Sequence, residues 1–344
     1  MRKVRSMMIS RRLFVDPSEN EIYGTVAVAL SVFVFAYSVL FGAGSILVFY
    51  ALWLPLILLD YRAVVGPLRN LAAPLALVLL MAASVTWSDA PSTTLRATIQ
   101  YATQIFCASI AARTMPMRTL AHGVMYGCLV VVLYSMLFGH YGYDLMDGSY
   151  TFIGAFSSKN QLGNFSSIGL FFCIAILLAP RVSPIAGGVA VFTALLCAYA
   201  LWASRSATSM LTFGALLAVF LALRVAIRFR PGARITLVIL AIPLGFIVML
   251  VALQSNLADQ ILGAFGKDST LTGRTYLWSE GLLAFQQKPL LGVGYQAYWV
   301  QGFSEAERLW EEFYIGARNG FHFHNTYIEM MVELGVVGLA LLVW

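Results

Sequence analysis

Charge is scarce in this chain: 22 basic and 16 acidic residues make up 11% of 344. A soluble domain carries roughly a quarter, so a water-soluble globule is excluded. Cysteine is scarce too. Cys107, Cys128, Cys173 and Cys197 all fall inside apolar runs, which reads as small buried hydrophobes rather than disulfides or a metal cluster. A nucleotide loop is missing as well. Gly292-Val293-Gly294 lacks the full glycine spacing, the lysine and a preceding strand, and its glycines read as a backbone turn. The basic N-terminal segment, with Arg2, Lys3, Arg5, Arg11 and Arg12, is too long a polar lead for a secretory signal and meets no small-residue cleavage site. It reads as a segment that touches anionic headgroups.

What is abundant is apolar sequence, 60% of the chain. Runs long enough to cross ~30 Å of hydrocarbon fall near 21–40, 43–59, 70–87, 95–113, 119–138, 161–179, 185–202, 207–227, 235–254 and 325–344. Continuous runs argue against a barrel of short alternating strands. The expected fold is all-α, a polytopic membrane helix bundle of about ten spans with one large extramembrane loop. The expected divisions are a basic segment at 1–20, the bundle at 21–254, the loop at 255–324 and a final span at 325–344.

Basic connections alternate. Arg62 and Arg69, Arg113 and Arg118, Arg181, and Arg224, Arg228, Arg230 and Arg234 all fall on the side of the N-terminus, which the positive-inside rule makes cytoplasmic. This distribution explains the net charge of +6 as topology, and no nucleic-acid partner is expected. Lys159, Arg205, Arg274, Lys288, His322 and His324 then lie on the opposite, outer side.

The outer loop holds two amphipathic patterns. Gly273 to Gln287 carries Leu277, Trp278, Leu282, Leu283 and Phe285 at helical spacing, stopped by Pro289. Glu305–Tyr314 mixes four glutamates with Leu309, Trp310 and Phe313. Interfacial helices covering the bundle are the plainer reading; a lid over a substrate is the sharper one.

Several motifs occur in a fixed order: Phe156-Ser157-Ser158-Lys159-Asn160, Ser204-Arg205-Ser206-Ala207, Gly273-Arg274-x-x-x-Trp278, Lys288-Pro289-Leu290-Leu291-Gly292-Val293-Gly294, His324-Asn325-x-Tyr327 and Glu333-Leu334-Gly335-Val336-Val337-Gly338. Together they resemble the O-antigen ligase and polysaccharide polymerase superfamily of bacterial membrane proteins, most closely its exopolysaccharide-production branch. Members carry one or two further spans, so a chain ending at Trp344 reads as a truncated form.

The resemblance implies a bacterial inner-membrane enzyme with its active loop in the periplasm. It would transfer oligosaccharide from an undecaprenyl-diphosphate-linked donor to a hydroxyl of a glycan, lipid A core or other acceptor. Other polysaccharide-assembly proteins are implied as partners. Arginine suits a leaving diphosphate, because it stays charged and binds two oxygens at once; Arg274 and Arg205 are the candidates. His324 is the candidate general base, kept neutral by neighbouring arginines. Asn325 is a helix cap that also orients the site. Lys159 and Asn160, which begin a helix at the outer face, either assist substrate binding or mark the membrane boundary. Tyr327, a candidate for substrate binding, and Glu329 stand within reach of the same site. Glu333, a further candidate for the substrate site whose role could equally be structural, lies two turns into the last span, where a buried acid calls for a partner such as an arginine. His322 and His324 without a carboxylate cluster do not make a metal set, so neither metal nor cofactor is expected; the hypothesis for transfer is direct attack by the acceptor at the anomeric carbon, with inversion.

Two other classes compete. A transporter or flippase would place polar groups near the midplane on broken, repeated helices, whereas here the charges gather at one face. A structural assembly subunit is the least specific alternative.

Overall fold

A computed structural model describes residues 10–42, 44–143, 149–237, 239, 240, 243, 245 and 273–344, apart from 317 and 319. In chain order its main elements are α1 (Ile22–Phe41), α2 (Gly44–Trp53), α3 (Leu56–Val65), α4 (Ala72–Ser84), α5 (Pro91–Thr114), α6 (Met117–Phe138), β1 (His140–Tyr143), β2 (Tyr150–Gly154), α7 (Lys159–Leu177), α8 (Pro184–Ser204), α9 (Ala207–Ala226), α10 (Arg274–Gln287), α11 (Ser304–Glu312) and α12 (Thr326–Val343). The protein is a mostly helical, multi-pass membrane protein. Among the described residues, six helices are long and apolar enough to cross a bilayer, or seven if α2 and α3 form one broken span.

The expected ten spans are therefore reduced. The run at 43–59 is interrupted at Leu54–Pro55 and divided between α2 and α3. The run at 70–87 yields the shorter α4. Its neighbour at 95–113 forms the long α5, whose Thr, Gln and Arg content keeps it out of the apolar set. The run at 235–254 lies largely outside the described residues. The all-α expectation also needs one amendment. The 139–160 loop contains an antiparallel hairpin of β1 and β2, with a bulge at His140/Tyr141.

The chain forms two compact units. One comprises residues 1–52 and 115–269, the other 53–114 and 270–344. In the first, α6 packs on α1 and on α7, and α7 on α8. Small residues permit the approach: a Cβ at Gly123 would stand 2.6 Å from Val28, and one at Gly127 would stand 2.7 Å from Val32. A glycine pair four residues apart brings two helical backbones together where lipid supplies no hydrophobic drive. Gly169 does the same against Cys128 and Cys197, at 2.7 and 2.8 Å. All four cysteines are buried and free, as their apolar setting implied. The outward faces remain apolar. Only 6% of the α9 span is buried within the protein, which suits lipid and not water.

In the second unit, α4 packs on α5 and α12, and α10 on α12. One cluster gathers Leu277, Val293, Tyr298, Leu309, Phe323 and Ile328; another joins Leu77 and Met81 of α4 to Tyr295, Met330 and Leu334. Both expected outer-loop helices are present, as α10 and α11. Leu277 is the buried face of α10, while Leu282 and Leu283 point outward.

Candidate active site

The second unit assembles its polar groups at the start of α12. Gly273, with φ +82°, lies immediately before α10, and the ring of Phe313 stands 3.0 Å from where a Cβ would be. Conformation and space both call for glycine here. The next residue, Arg274, has a half-buried guanidinium that meets no carboxylate among the described residues. Burial lowers its pKa.

Residues 321–325 are pinned from three directions. The indole of Trp278 donates to the Phe323 carbonyl at 2.9 Å. The Phe323 amide donates to one oxygen of Glu329, and the Trp299 indole to the other, each at 2.9 Å. The His324 amide donates to Nδ1 of His322 at 3.0 Å, which places the neutral His322 proton on Nε2. His324 adopts a left-handed backbone, φ +53°, unusual for a residue with a Cβ and sustained by these clamps. Asn325 then caps α12, its side chain accepting from the Tyr327 and Ile328 amides at 3.0 and 3.4 Å. The Tyr327 ring is exposed.

The rings of His322 and His324 lie 4.3 Å apart in an edge-on arrangement. Both have solvent-open edges, yet enough protein surrounds them that desolvation disfavours their charged forms. Desolvation, then the neighbouring His322 and Arg274, pulls the His324 pKa down to about 4. Desolvation and Arg274 lower that of His322. The result is a neutral imidazole, free to accept a proton, beside a permanent cation whose own anionic partner is missing among the described residues.

Beneath lies an interlock of two motifs. The Val293 and Gly294 amides donate to the carbonyls of Val332 and Glu333 at 3.0 and 2.9 Å, and Val336 donates to Pro289 at 2.9 Å. These bonds are possible because α12 breaks at Gly335, φ +65°. A Cβ at Gly335 would stand 2.2 Å from the Leu290 carbonyl oxygen, and one at Gly292 2.3 Å from the Glu333 backbone. The loop is tied on its other side to residues 84–89. Lys288 pairs with Asp89 at 2.7 Å, the Trp87 indole donates to Leu291 at 3.1 Å, and the Tyr295 amide donates to Ser84 at 3.2 Å.

Glu333 departs from expectation. It is fully buried, but no arginine pairs with it among the described residues. Its carboxylate faces the Tyr295–Gln296 segment, where the Gln296 amide approaches without closing a hydrogen bond. The break at Gly335 brings the glycine loop, and no basic side chain, to this position. α11 is held on α10 by Arg308, which bonds Glu280, Glu305, Glu312 and Tyr276.

The first unit joins the two upstream motifs. Ser158 caps α7 and Ser206 caps α9. The Ser206 hydroxyl donates to the Asn160 carbonyl oxygen at 2.8 Å, and Gly163 leaves room for Ser206 and Ser209. Lys159 is buried, its ammonium donating to Ser149 at 2.9 Å. Arg205 turns the chain with φ +49° and is exposed. The structure thus groups Arg274, His324 and Asn325 in one unit, and Lys159, Asn160 and Arg205 in the other. The sequence pattern placed Trp278 in a motif and on a helix face and Glu329 within reach of the site, without their clamping bonds to residues 321–325, and it passed over Trp299 altogether. The Glu329 signal was an acid in the first turn of an apolar helix, which requires a donor nearby.

Comparison with known proteins identifies the family. A family profile described as O-antigen ligase matches residues 192–343, the stretch that includes Arg205, Arg274 and His324. The exopolysaccharide production protein ExoQ of Rhizobium meliloti (strain 1021) is 52% identical over 336 residues, 98% of this chain and 77% of that protein. The chain belongs to the O-antigen ligase family. As an O-antigen ligase family member it is a glycosyltransferase-type membrane enzyme, and its fixed motif order now has a physical content. The glycine loop and the Gly335 break form one joint, and the His324 motif sits on the end of the helix that this joint positions.

Proposed function

We propose that the protein transfers an oligosaccharide from an undecaprenyl-diphosphate carrier to an acceptor hydroxyl at the periplasmic face, in exopolysaccharide or O-antigen assembly. The observation that carries this reading is a neutral His324 beside an Arg274 that meets no carboxylate among the described residues. His324 takes the acceptor hydroxyl proton as the oxygen attacks the anomeric carbon from the face opposite the diphosphate. The bond from that carbon to the diphosphate oxygen breaks, and its electron pair leaves with the carrier. Arg274 neutralises the developing charge, and the configuration at the carbon inverts; Arg205, in the other unit, is a separate candidate for contact with the carrier diphosphate. Diphosphate bound at Arg274 also offsets the positive field at His324, raising its basicity when donor is present. Asn325 and Tyr327 line the acceptor side, Lys159 and Asn160 help to hold the substrate, and Glu333 supports the joint beneath. The name of the Rhizobium relative favours the exopolysaccharide branch.

The test is purified protein with lipid-linked oligosaccharide, scored for lengthened glycan and released carrier diphosphate. Transfer should persist in EDTA and fall in Arg274→Ala and His324→Ala. Wild-type rates in His324→Ala, or abolition by EDTA, would overturn the mechanism. Movement of the lipid-linked sugar between leaflets without joining would instead indicate transport.

A further inference from the structure

A second recess lies wholly within the first unit, and the mechanism above does not use it. It has a volume of about 550 Å³, between the C-terminal half of α1, the end of α6, the start of β1 and the turn leading into α7. Aromatic rings form its wall. Tyr37 stacks on Phe156 at 4.9 Å and 29°, and Phe156 on Phe165 at 5.5 Å and 18°. Tyr134 and Phe138 continue the surface at 4.8 Å. The Tyr37 hydroxyl is already engaged by Val131 and Ser135, so its ring contributes as a surface and not as a donor.

Polar groups converge on the same space. Ser38, His140, Ser157 and Gln161 all line it. Gln161 gives its carbonyl oxygen to the Ser157 amide, which leaves its NH2 group to donate. Among the described residues its lining contains no lysine, arginine or carboxylate. A diphosphate would find no countercharge here, and a prenyl chain would strip water from four polar groups without replacing their hydrogen bonds. Flat rings with a few convergent donors and acceptors suit a molecule that is apolar on its faces and hydroxylated at its edges.

We propose that this groove is a subsite for the uncharged glycan of the lipid-linked substrate. Pyranose rings lie against the Tyr134–Phe138 and Phe156–Phe165 surfaces, and their hydroxyls bond His140, Ser157 and Gln161. The turn into α7 supplies Ser157, and the first residues of α7 carry Lys159, Asn160 and Gln161, so the groove continues the motif already read as substrate-binding. This assignment rests on the glycosyl-transfer reading, and binding separates the two.

The experiment uses the full chain in nanodiscs, titrated calorimetrically with the repeat oligosaccharide freed from its carrier by mild acid. Farnesyl diphosphate serves as a short prenyl competitor. Saturable oligosaccharide binding is expected. It should weaken about tenfold in Phe138→Ala and Gln161→Ala, recover in Phe138→Trp, and persist in His324→Ala even as transfer fails. Absence of saturable binding, equal binding in the groove variants, or displacement by farnesyl diphosphate would overturn the proposal. Transfer surviving His324→Ala while the groove variants lose binding would overturn the catalytic reading and leave the groove standing.

Discussion

The bundle of α1, α6, α7 and α8 and the region from Gly273 to Gly335 are built on opposite economies. In the bundle, backbones approach where side chains are smallest, at Gly123, Gly127 and Gly169. In the later region the chain leaves regular helix repeatedly, and its peptide groups are satisfied by Trp278, Trp299, Glu329 and the paired glycine turns. A span satisfies its own backbone and needs only shape from its neighbours. An irregular segment at a membrane face must borrow donors and acceptors from side chains. The bundle therefore tolerates apolar exchange of equal volume, whereas the site depends on individual atoms.

The sharpest test of that contrast is the joint. Gly335→Ala places a Cβ against the Leu290 carbonyl in a backbone that disfavours one; strain alone costs about 1–3 kcal/mol, and the clash adds to it. Both the thermal midpoint and transfer should collapse together. If transfer survives, the interlock does not position His324.

His324→Ala should separate the two quantities, lowering transfer about a thousandfold on the scale of general-base catalysis with little change in the thermal midpoint. The pH profile carries the sign. Because the His324 pKa lies below the usual histidine value, at about 4, kcat/KM should stay level as pH falls from 8 to 5 and decline only near 4. A decline centred at pH 6.5 would mean that the imidazole is not so desolvated.

Glu329→Gln should lower kcat about tenfold to a hundredfold, with donor KM unchanged, because the amide keeps one accepting oxygen and its NH2 only donates, so either Phe323 or Trp299 loses its acceptor. Added to His324→Ala it should cost nothing further, as expected of a positioning residue acting through that histidine; additive losses would refute the assignment. The smallest effect on chemistry belongs to the bundle. Gly123→Ala should destabilise by about 1–3 kcal/mol through overpacking against Val28, while activity per folded molecule holds. A selective loss of activity there would erase the distinction between the regions.

Much of the candidate site was legible because rare polar residue types stand out in an apolar chain. Arg274, His324 and the Asn325 cap stand out against their surroundings, and the two glycine motifs announce turns. Their mutual engagement was not legible, since Pro289–Gly294 and Glu333–Val336 meet only through backbone atoms that no composition records. Glu333 misled for the same reason. An acid in a span asks for an arginine, but a break at Gly335 brought a loop instead. Among the described residues fewer spans stand than the apolar runs imply, because apolarity measures burial in either lipid or protein, and Leu54–Pro55 interrupts a run that looks continuous.

By itself, then, the sequence determined the membrane class, the family and the residue types available for transfer, because hydropathy and rare polar residues are local properties. The tertiary structure alone decided the left-handed backbone of His324, the clamp by Glu329 and the glycine joint, because each depends on hydrogen bonds between segments far apart in the chain.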